Sequence, residues 1–256
     1  MPGREPEMPA VLFLHGIGGA GRVWASQIAS FRAAGFTAVA IDLPGYGARS
    51  PVTSVTFDEL AADVERSIAE RGLSRPVLVG HSMGGMVAQT ALRRRPDGYR
   101  AAVLACTSPA FGNPSGEFQK TFVAERLGPL DADKTMADLA PRMVDAIMGP
   151  QPDAAGRALA IEVMGSVPAD TYRAAVRCLV GFDERANLAN IRVAVLCLAC
   201  EKDPNAPPPV MERMAGRITG ARYICLPGLG HLPSLEAPAV FDGAVLDFVR
   251  HAIVPA

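Results

Sequence analysis

The stretch RPVLVGHSMGGMVAQTALRRRP, residues 75–96, decides the fold. Residues 77–79 are apolar and favour strand, whereas residues 86–92 are rich in Ala, Met, Gln and Leu, which favour helix. Between them, the sequence GHSMG places one glycine two positions before Ser82 and another two positions after it. This order of strand, G-x-S-x-G and helix predicts a sharp turn that exposes the Ser82 hydroxyl, with glycines where the turn crosses neighbouring backbone.

Apolar runs with strand character recur along the chain, and helical segments lie between them. Besides the run before Ser82, they are AVLFL ending at Leu14, FTAVAI ending at Ile41, AAVLAC ending at Cys106, VAVLCLA ending at Ala199 and ARYICL ending at Leu226. The runs do not alternate with polar residues, which is typical of strands covered by helices on both faces. The alternation of strand and helix predicts an α/β protein with a doubly wound, mainly parallel sheet. In such sheets the chemistry gathers at the carboxyl ends of the strands.

One segment interrupts the alternation. Residues 113–190 contain no convincing strand but four helix-like pieces, at 117–127, 135–148, 153–164 and 169–180. We therefore predict a core formed by residues 1–112 and 191–256, with residues 113–190 inserted as a helical cap. Four of the ten methionines lie in this segment, and we expect their apolar side chains partly to pack and partly to line a pocket. They are Met136, Met143, Met148 and Met164.

Composition and charge argue against several classes of protein. The chain has 25 basic and 26 acidic residues and a net charge of -1, which gives no electrostatic reason to expect nucleic acid or an anionic membrane as a partner. No apolar stretch approaches the roughly 20 residues of a transmembrane helix. Residues 1–7 carry acids and prolines rather than a secretory signal, so we expect a cytoplasmic protein. Cys197 and Cys200 have CxxC spacing within an apolar run but no second ligand cluster, so we expect neither a metal nor an organic cofactor.

A serine hydroxyl is a weak nucleophile near neutral pH, so Ser82 needs a base within hydrogen-bonding reach. His231 is the candidate, because it lies in the loop PGLGHLPSLEAP after the last apolar run, where we expect a fixed and partly exposed side chain. The other three histidines suit this role less well. His15 suits a structural hydrogen bond beneath the loop LHGIGG, His81 adjoins the serine on the wrong side of the turn, and His251 lies near the end of the last helix.

The base in turn needs an acid to orient it. Thr107 and Ser108 follow the run AAVLAC and offer no carboxylate, whereas Glu201 and Asp203 follow VAVLCLAC. Asp203 is the better candidate, because Pro204 and a proline-rich turn after it would fix a short carboxylate. Glu201 stays open as the alternative, although it also suits a solvated loop.

Backbone amides beside Ser82 complete the predicted site. The helix that starts at Met83 points its free N–H groups at any developing oxyanion, and the glycines around Ile17 in HGIGG let a second N–H approach the same oxygen. We also assign substrate contacts to four residues of these loops and of the predicted cap, which are Gly16, His81, Met143 and Met148.

These motifs together carry a family resemblance. With HGIGG, DLPGYG, GHSMGG, the turn from Asp203 to Pro207 and GHLPSLEAPAVF, in the order Ser, Asp, His, the chain resembles the α/β-hydrolase superfamily over nearly its whole length. Members often begin with a β-hairpin, and only ten residues precede Val11 here. The resemblance therefore implies a truncated sheet of about six parallel strands.

Two segments narrow the resemblance. FDELAADVERSI and the stretch VGHSMGGMVAQTALRRRPDGYRAAVLACTSP look most like the 3-oxoadipate enol-lactonase branch and its carboxylesterase neighbours. An enol-lactonase would need a cation for the carboxylate of its substrate. Five arginines of the predicted cap are available, namely Arg126, Arg142, Arg157, Arg173 and Arg177.

The leading hypothesis is a serine hydrolase of small carboxylic esters or lactones, working as a monomer or homodimer through an acyl-enzyme intermediate. Two alternatives stay open. The same triad could cleave a C–C bond of a ring-cleavage product or serve a cofactor-free lyase, because fold does not fix function. A third reading is a ligand-binding protein without catalysis, although such proteins often lose a triad residue and this chain keeps all three.

Overall fold

Six strands and ten α-helices are found in residues 9–112 and 116–253, which are the residues that the computed structural model describes. The strands are β1 (Ala10–Leu14), β2 (Thr37–Ile41), β3 (Val77–His81), β4 (Ala101–Ala105), β5 (Ala194–Cys200) and β6 (Arg222–Leu226). The helices are α1 (Ala25–Ala33), α2 (Phe57–Glu70), α3 (Met83–Arg94), α4 (Glu117–Asp131), α5 (Met136–Asp145), α6 (Ala154–Gly165), α7 (Ala169–Val180), α8 (Pro208–Ala215), α9 (Pro233–Glu236) and α10 (Pro238–Ile253). The predicted domain boundary at residue 113 and the N-terminal residues 1–7 lie outside the described residues.

The strands form one sheet with the order β2-β1-β3-β4-β5-β6, and every pair is parallel. The chain passes from β1 to β2 on one side and then crosses to β3 on the other side of β1. In an open parallel sheet, a crevice forms at the carboxyl ends of the strands beside such a reversal. The predicted sheet of six parallel strands is confirmed, and β3 delivers Ser82 to this crevice.

Burial differs between the middle and the edge of the sheet. All five residues of β1, of β3 and of β4 are buried, as expected for strands covered on both faces. The prediction of a buried strand is wrong for β6, of which only Leu226 is buried, and it holds only for Ala38 and Ile41 in β2. These two strands form the two edges of the sheet, where the faces are less completely covered than in the middle.

Four helices, α4 to α7, lie between β4 and β5 in the chain, and the described residues of this segment contain no strand. They overlap the four helix-like pieces that the sequence predicts. None of the helices in the described part of the chain has the length and apolar character needed to cross a membrane.

Candidate active site

Ser82 lies at the turn between β3 and α3, with φ 52 and ψ -118 degrees. This backbone conformation is strained for any residue other than glycine and persists only where the surroundings enforce it. A Cβ atom at Gly80 would overlap the Gly84 carbonyl oxygen, and one at Gly84 would overlap the Leu14 carbonyl oxygen. Only glycine lets the backbone pass so close, so the predicted reason for both glycines is confirmed.

A chain of hydrogen bonds joins Ser82, His231 and Asp203. His231 Nε2 lies 3.0 Å from Ser82 Oγ, and His231 Nδ1 lies 2.8 Å from Asp203 Oδ2. When Nδ1–H donates to the carboxylate, Nε2 is free to accept the hydroxyl proton. His231 is only 5% exposed, which corrects the expectation of a partly exposed base.

Two backbone amides hold Asp203 in its turn. Its Oδ1 accepts hydrogen bonds from the Asn205 amide at 2.8 Å and the Ala206 amide at 3.0 Å. Burial acts to raise the pKa of the Asp203 carboxyl, but the charge and hydrogen bond of His231 and the two amides outweigh it, so the pKa lies below its usual value. The carboxyl group therefore stays ionised opposite the imidazole.

Glu201, the alternative acid, points elsewhere. Its carboxylate accepts hydrogen bonds from Lys202 and from the Gly228 amide, each at 2.8 Å. It is exposed, as a solvated loop acid would be. The structure thus brings Asp203, and not Glu201, to His231.

Two further histidines are buried near the triad, and burial holds both neutral. His15 Nδ1 donates to the Gly16 carbonyl oxygen at 2.8 Å while its Nε2 accepts from the Leu43 amide at 3.1 Å, so the predicted structural role is confirmed. His81 Nε2 donates to the carbonyl oxygen of His231 at 2.6 Å. Burial lowers the pKa of His15 to about 4 and that of His81 to about 3.

The HGIGG loop lies directly against Ser82. The Gly19 amide donates to the Gly16 carbonyl oxygen at 2.9 Å and closes a tight turn. The Tyr46 hydroxyl donates to the Ile17 carbonyl oxygen at 3.0 Å and so fixes this peptide. A Cβ atom on Gly16 would lie 3.2 Å from Ser82 Cβ, so a side chain there would crowd the serine.

The amides of Ile17 and Met83 lie in two different segments. Ile17 belongs to the loop that follows β1. Met83 is the first residue of α3, and no side-chain hydrogen bond caps that helix. The N–H groups of a first turn have no acceptor within their own helix. Both predicted oxyanion donors therefore belong to segments that adjoin Ser82.

A cavity of about 330 Å³ opens over Ser82. We call the loops that follow β1, β3, β4, β5 and β6 its core side, and residues of α4 to α7 its helical side. The cavity is distinct from a groove of about 650 Å³ between α2, α3 and α7, which no triad residue lines.

Three of the four predicted substrate contacts, Gly16, His81 and Met143, line this cavity. Met148 is not among the described residues that line it, which corrects that prediction. Met148 follows the end of α5, and its backbone packs against the loop at Gly230 instead. Met164 of α6 lines the cavity in its place.

Comparison with known proteins identifies the family. Residues 11–244 match the alpha/beta hydrolase family. The chain belongs to the alpha/beta hydrolase family. This confirms the family resemblance seen in the motifs.

Curated relatives of this alpha/beta hydrolase differ greatly in length. The chain is 29% identical over 256 residues to polyketide synthase ThaQ of Burkholderia thailandensis, a match that covers 96% of this chain but 12% of that protein. It is 28% identical over 253 residues to the putative carbamate hydrolase RutD of Variovorax paradoxus, with 96% of this chain and 93% of that one covered.

Solved structures give the same fold. A thermophilic esterase from Thermogutta terrifontis matches with a TM-score of 0.86 and 24% identity, over 96% of this chain and 91% of the esterase. The enol-lactonase from Burkholderia xenovorans LB400 matches with a TM-score of 0.82 and 23% identity, over 97% and 94% of the two chains. At these identities, both comparisons show that the fold is shared.

Arg126 of α4 is the one arginine or lysine among the described residues that line the cavity of this hydrolase. Its guanidinium lies 4.9 Å from the centroid of the Phe122 ring, and no carboxylate in the described part of the chain forms an ion pair with it. The other four candidate arginines lie elsewhere: Arg157 and Arg173 form ion pairs, Arg142 is exposed, and Arg177 lines the separate groove.

Tyr172 of α7 adds a polar group to the same wall. Its side chain is fully buried and lines the cavity. Burial raises the pKa of Tyr172, while the charge of Arg126 and its hydrogen bond to the phenol oxygen oppose that rise. Tyr172 and Arg126 therefore present adjacent polar groups to a ligand in the cavity.

Sequence reasoning missed Glu236. This acid is 4% exposed and accepts hydrogen bonds from the Gly149, Gly230 and Leu232 amides, each at 2.8 Å. It therefore holds the loop that carries His231. The motif PGLGHLPSLEAP contained Glu236, but nothing in its letters distinguishes a buried acceptor of three amides from a solvated loop acid.

One cluster near the triad has the residue types of a metal site. Ligand atoms of His81, Cys106 and His231 lie within 4.8 Å of one another. His81 Nε2 and both nitrogens of His231 already take part in the hydrogen bonds described above. A metal ion held by His231 would compete with Asp203 or Ser82 for it, so the geometry favours a hydrogen-bonded base here.

Proposed function

We propose that this alpha/beta hydrolase cleaves small carboxylic esters or lactones through a Ser82, His231 and Asp203 triad and an acyl-enzyme intermediate. The observation that carries the proposal is the continuous chain of contacts, 3.0 Å from Ser82 Oγ to His231 Nε2 and 2.8 Å from His231 Nδ1 to Asp203 Oδ2. This is the geometry that activates a serine nucleophile.

The steps follow from these contacts. Ser82 Oγ attacks the substrate carbonyl as His231 Nε2 takes the hydroxyl proton, and the N–H groups of Ile17 and Met83 stabilise the oxyanion. His231 then donates that proton to the leaving alcohol as the carbonyl–oxygen bond breaks. A water molecule, deprotonated by His231, then attacks the acyl-enzyme, and His231 returns this proton to Ser82 Oγ as the bond between Oγ and the acyl carbon breaks and the acid leaves. Asp203 stabilises the imidazolium each time it forms.

The helical side of the cavity indicates the class of substrate. We assign residues between β4 and β5 the role of a cap that selects substrates, with Met143 and Met164 as its apolar wall. Arg126, without an ion pair among described carboxylates, would bind a carboxylate of the substrate, and the Tyr172 hydroxyl would donate to the same group. This favours an ester or lactone that also carries a free, anionic carboxylate, as in the enol-lactonase hypothesis.

The test is hydrolysis of a series of p-nitrophenyl esters of increasing acyl length by the wild type and by Ser82→Ala. We expect turnover by the wild type and a loss of about 10⁴-fold or more in the variant, with an unchanged melting temperature. Turnover that survives in a folded Ser82→Ala protein would contradict the proposal. Failure of every ester, with turnover of a ring-cleavage product, would favour C–C hydrolysis instead.

A further inference from the structure

The backbone around His231 is held by partners outside its own loop. Three consecutive amides donate in alternate directions: the Gly230 and Leu232 amides reach the Glu236 carboxylate at 2.8 Å, and the His231 amide reaches the Ile147 carbonyl oxygen at 2.7 Å. The position of the imidazole therefore depends on Glu236 and on residue 147, which lies just beyond α5.

The same carboxylate also binds the helical segment. Glu236 Oε2 accepts from both the Gly230 amide and the Gly149 amide, so one oxygen atom joins the histidine loop to the residues after α5. The backbone carbonyl of Glu236 further accepts the Asp153 amide at 3.0 Å, at the residue before α6. Glu236 is thus a junction between the core side and the helical side of the cavity.

Two glycines let these segments touch. A Cβ atom on Gly149 would lie 2.6 Å from the Gly228 carbonyl oxygen and 2.9 Å from Glu236 Oε2. A Cβ atom on Gly230 would overlap the Gly149 amide and lie 2.5 Å from the Ile147 carbonyl oxygen. The contact is therefore backbone against backbone, and a displacement of residues 147–149 would be transmitted directly to His231.

We propose that Glu236 is a positioning residue that ties the catalytic base to residues 147–149, so that proton transfer between Ser82 and His231 depends on this contact. The inference rests on the proposed function. A carboxylate suits the position because it accepts at both oxygens, whereas a glutamine offers one accepting oxygen and an NH₂ group that only donates. Glu236→Gln is therefore expected to lose either the hydrogen bond from the Leu232 amide or the two from the Gly149 and Gly230 amides, while keeping the shape of the side chain.

The matched control is Asp63→Asn. Asp63 is 2% exposed and also accepts three hydrogen bonds, two from Arg49 and one from Arg66. It lies on α2 and does not line the cavity over Ser82. A general loss of stability from removing a buried carboxylate would affect both variants, whereas a loss of base positioning would affect Glu236→Gln alone.

The experiment measures kcat and KM for a p-nitrophenyl ester, the rate of Ser82 labelling by a fluorophosphonate, and the melting temperature. At a temperature where both variants are folded, we expect Glu236→Gln to lower kcat and the labelling rate by about tenfold or more, with KM within about twofold. Asp63→Asn should leave kcat, KM and the labelling rate close to the wild type. A folded Glu236→Gln protein with wild-type kcat and labelling would overturn the proposal, and so would an equal loss in Asp63→Asn.

A double variant tests the coupling itself. If Glu236→Gln and Gly149→Ala break the same contact, their combined loss of kcat will be smaller than the product of the two single losses. Losses that simply multiply would show that Glu236 does not act through residue 149. Glu236→Asp replaces Glu236→Gln if the latter does not fold. If the wild type shows no turnover that depends on Ser82, the proposed function fails. If the wild type turns over the ester and Glu236→Gln has the same kcat, only the inference about Glu236 fails.

Discussion

The two sides of the cavity differ in what forms them: backbone on the core side and long side chains on the helical side. On the core side, backbone fixes two members of the proposed triad: Ser82 sits in a strained turn between glycines, and two amides hold Asp203. On the helical side the wall consists of long side chains such as Met143, Met164 and Arg126. Backbone segments in such close contact cannot move independently, whereas methionine and arginine side chains adopt many rotamers.

Under the proposed function, this difference separates the groups that cleave the substrate from the groups that select it. Changes on the core side should alter the rate for every substrate, because they move the groups that make and break bonds. Changes on the helical side should alter the preference among substrates and leave the chemistry of a neutral ester nearly intact. The exception is the junction at Glu236, where the helical segment reaches the base.

The largest effect is expected for Asp203→Asn. Loss of the charge and of the correct imidazole tautomer should lower kcat by about 10⁴-fold for every ester. Glu201→Gln is the matched control, because Glu201 contacts Lys202 rather than the base, and its kcat should stay within about twofold of the wild type. Steady-state kinetics on one p-nitrophenyl ester decides the matter. An equal loss of kcat in the two variants would contradict the assignment of Asp203, rather than Glu201, as the acid of the triad.

The next effect concerns stability and contrasts the two sides directly. Gly84→Ala places a methyl group on the Leu14 carbonyl oxygen, whereas a Cβ on Gly128 of α4 meets nothing within 4 Å. We expect Gly84→Ala to lower the free energy of unfolding by about 3 kcal/mol, and Gly128→Ala to raise it by about 0.5 kcal/mol because alanine favours helix. Urea unfolding measures both. A tolerated Gly84→Ala would mean that the turn is not constrained as described.

Acid should weaken the fold through the two buried histidines, both of which lie on the core side. Each ring stays neutral in the folded state, with a pKa of about 4 for His15 and about 3 for His81, while in the unfolded chain it gains a proton below a pH of about 6.5. Above that pH the two histidines therefore cost no unfolding free energy. As the pH falls below it, the free energy of unfolding decreases. From pH 7 to pH 5 each histidine should cost about 2 kcal/mol of unfolding free energy.

One variant checks the assignment. His15→Gln should remove about half of the loss that the two buried histidines cause between pH 7 and pH 5. The measurement is urea unfolding of this variant at both pH values, compared with the wild type. An unchanged pH dependence in His15→Gln would show that its burial does not control its protonation.

The smallest effect concerns selection by Arg126. The substrate pair is a half-ester of a dicarboxylic acid and the same ester with a carboxamide in place of the free carboxylate. Arg126→Gln should lower kcat/KM for the anionic ester by about tenfold and leave the amide ester within about threefold. The exposed Arg142→Gln variant serves as the control. An equal loss for both esters would remove Arg126 from substrate recognition.

Sequence reasoning succeeded where adjacent residues determine the local structure. The strand, turn and helix around Ser82 carry their own signals, in apolar β-formers, two glycines and a helix-forming run. The order of strands and helices then predicted the parallel sheet and the ends from which Asp203 and His231 project. The four helices between β4 and β5 followed from helical periodicity in the same way.

It failed where the outcome depends on packing between distant segments. The apolar run of β6 gave no sign of its place at the sheet edge, because edge and centre differ only in their neighbours. Met148 and Met164 are both methionines of the helical segment, and only the packing of α5 and α6 decides which of them lines the cavity. Glu236 lies five residues after His231, yet its buried role depends on Gly149, far away in the chain.

The most direct test of the central claim is the stoichiometry and position of a fluorophosphonate adduct on the wild-type protein. Reaction with excess reagent, followed by mass spectrometry of the intact chain and of its peptides, counts the activated serines. We predict one adduct per chain, on Ser82, and none after substitution of Asp203 by asparagine under the same exposure. An unlabelled wild type, or an adduct on another serine, would contradict the account.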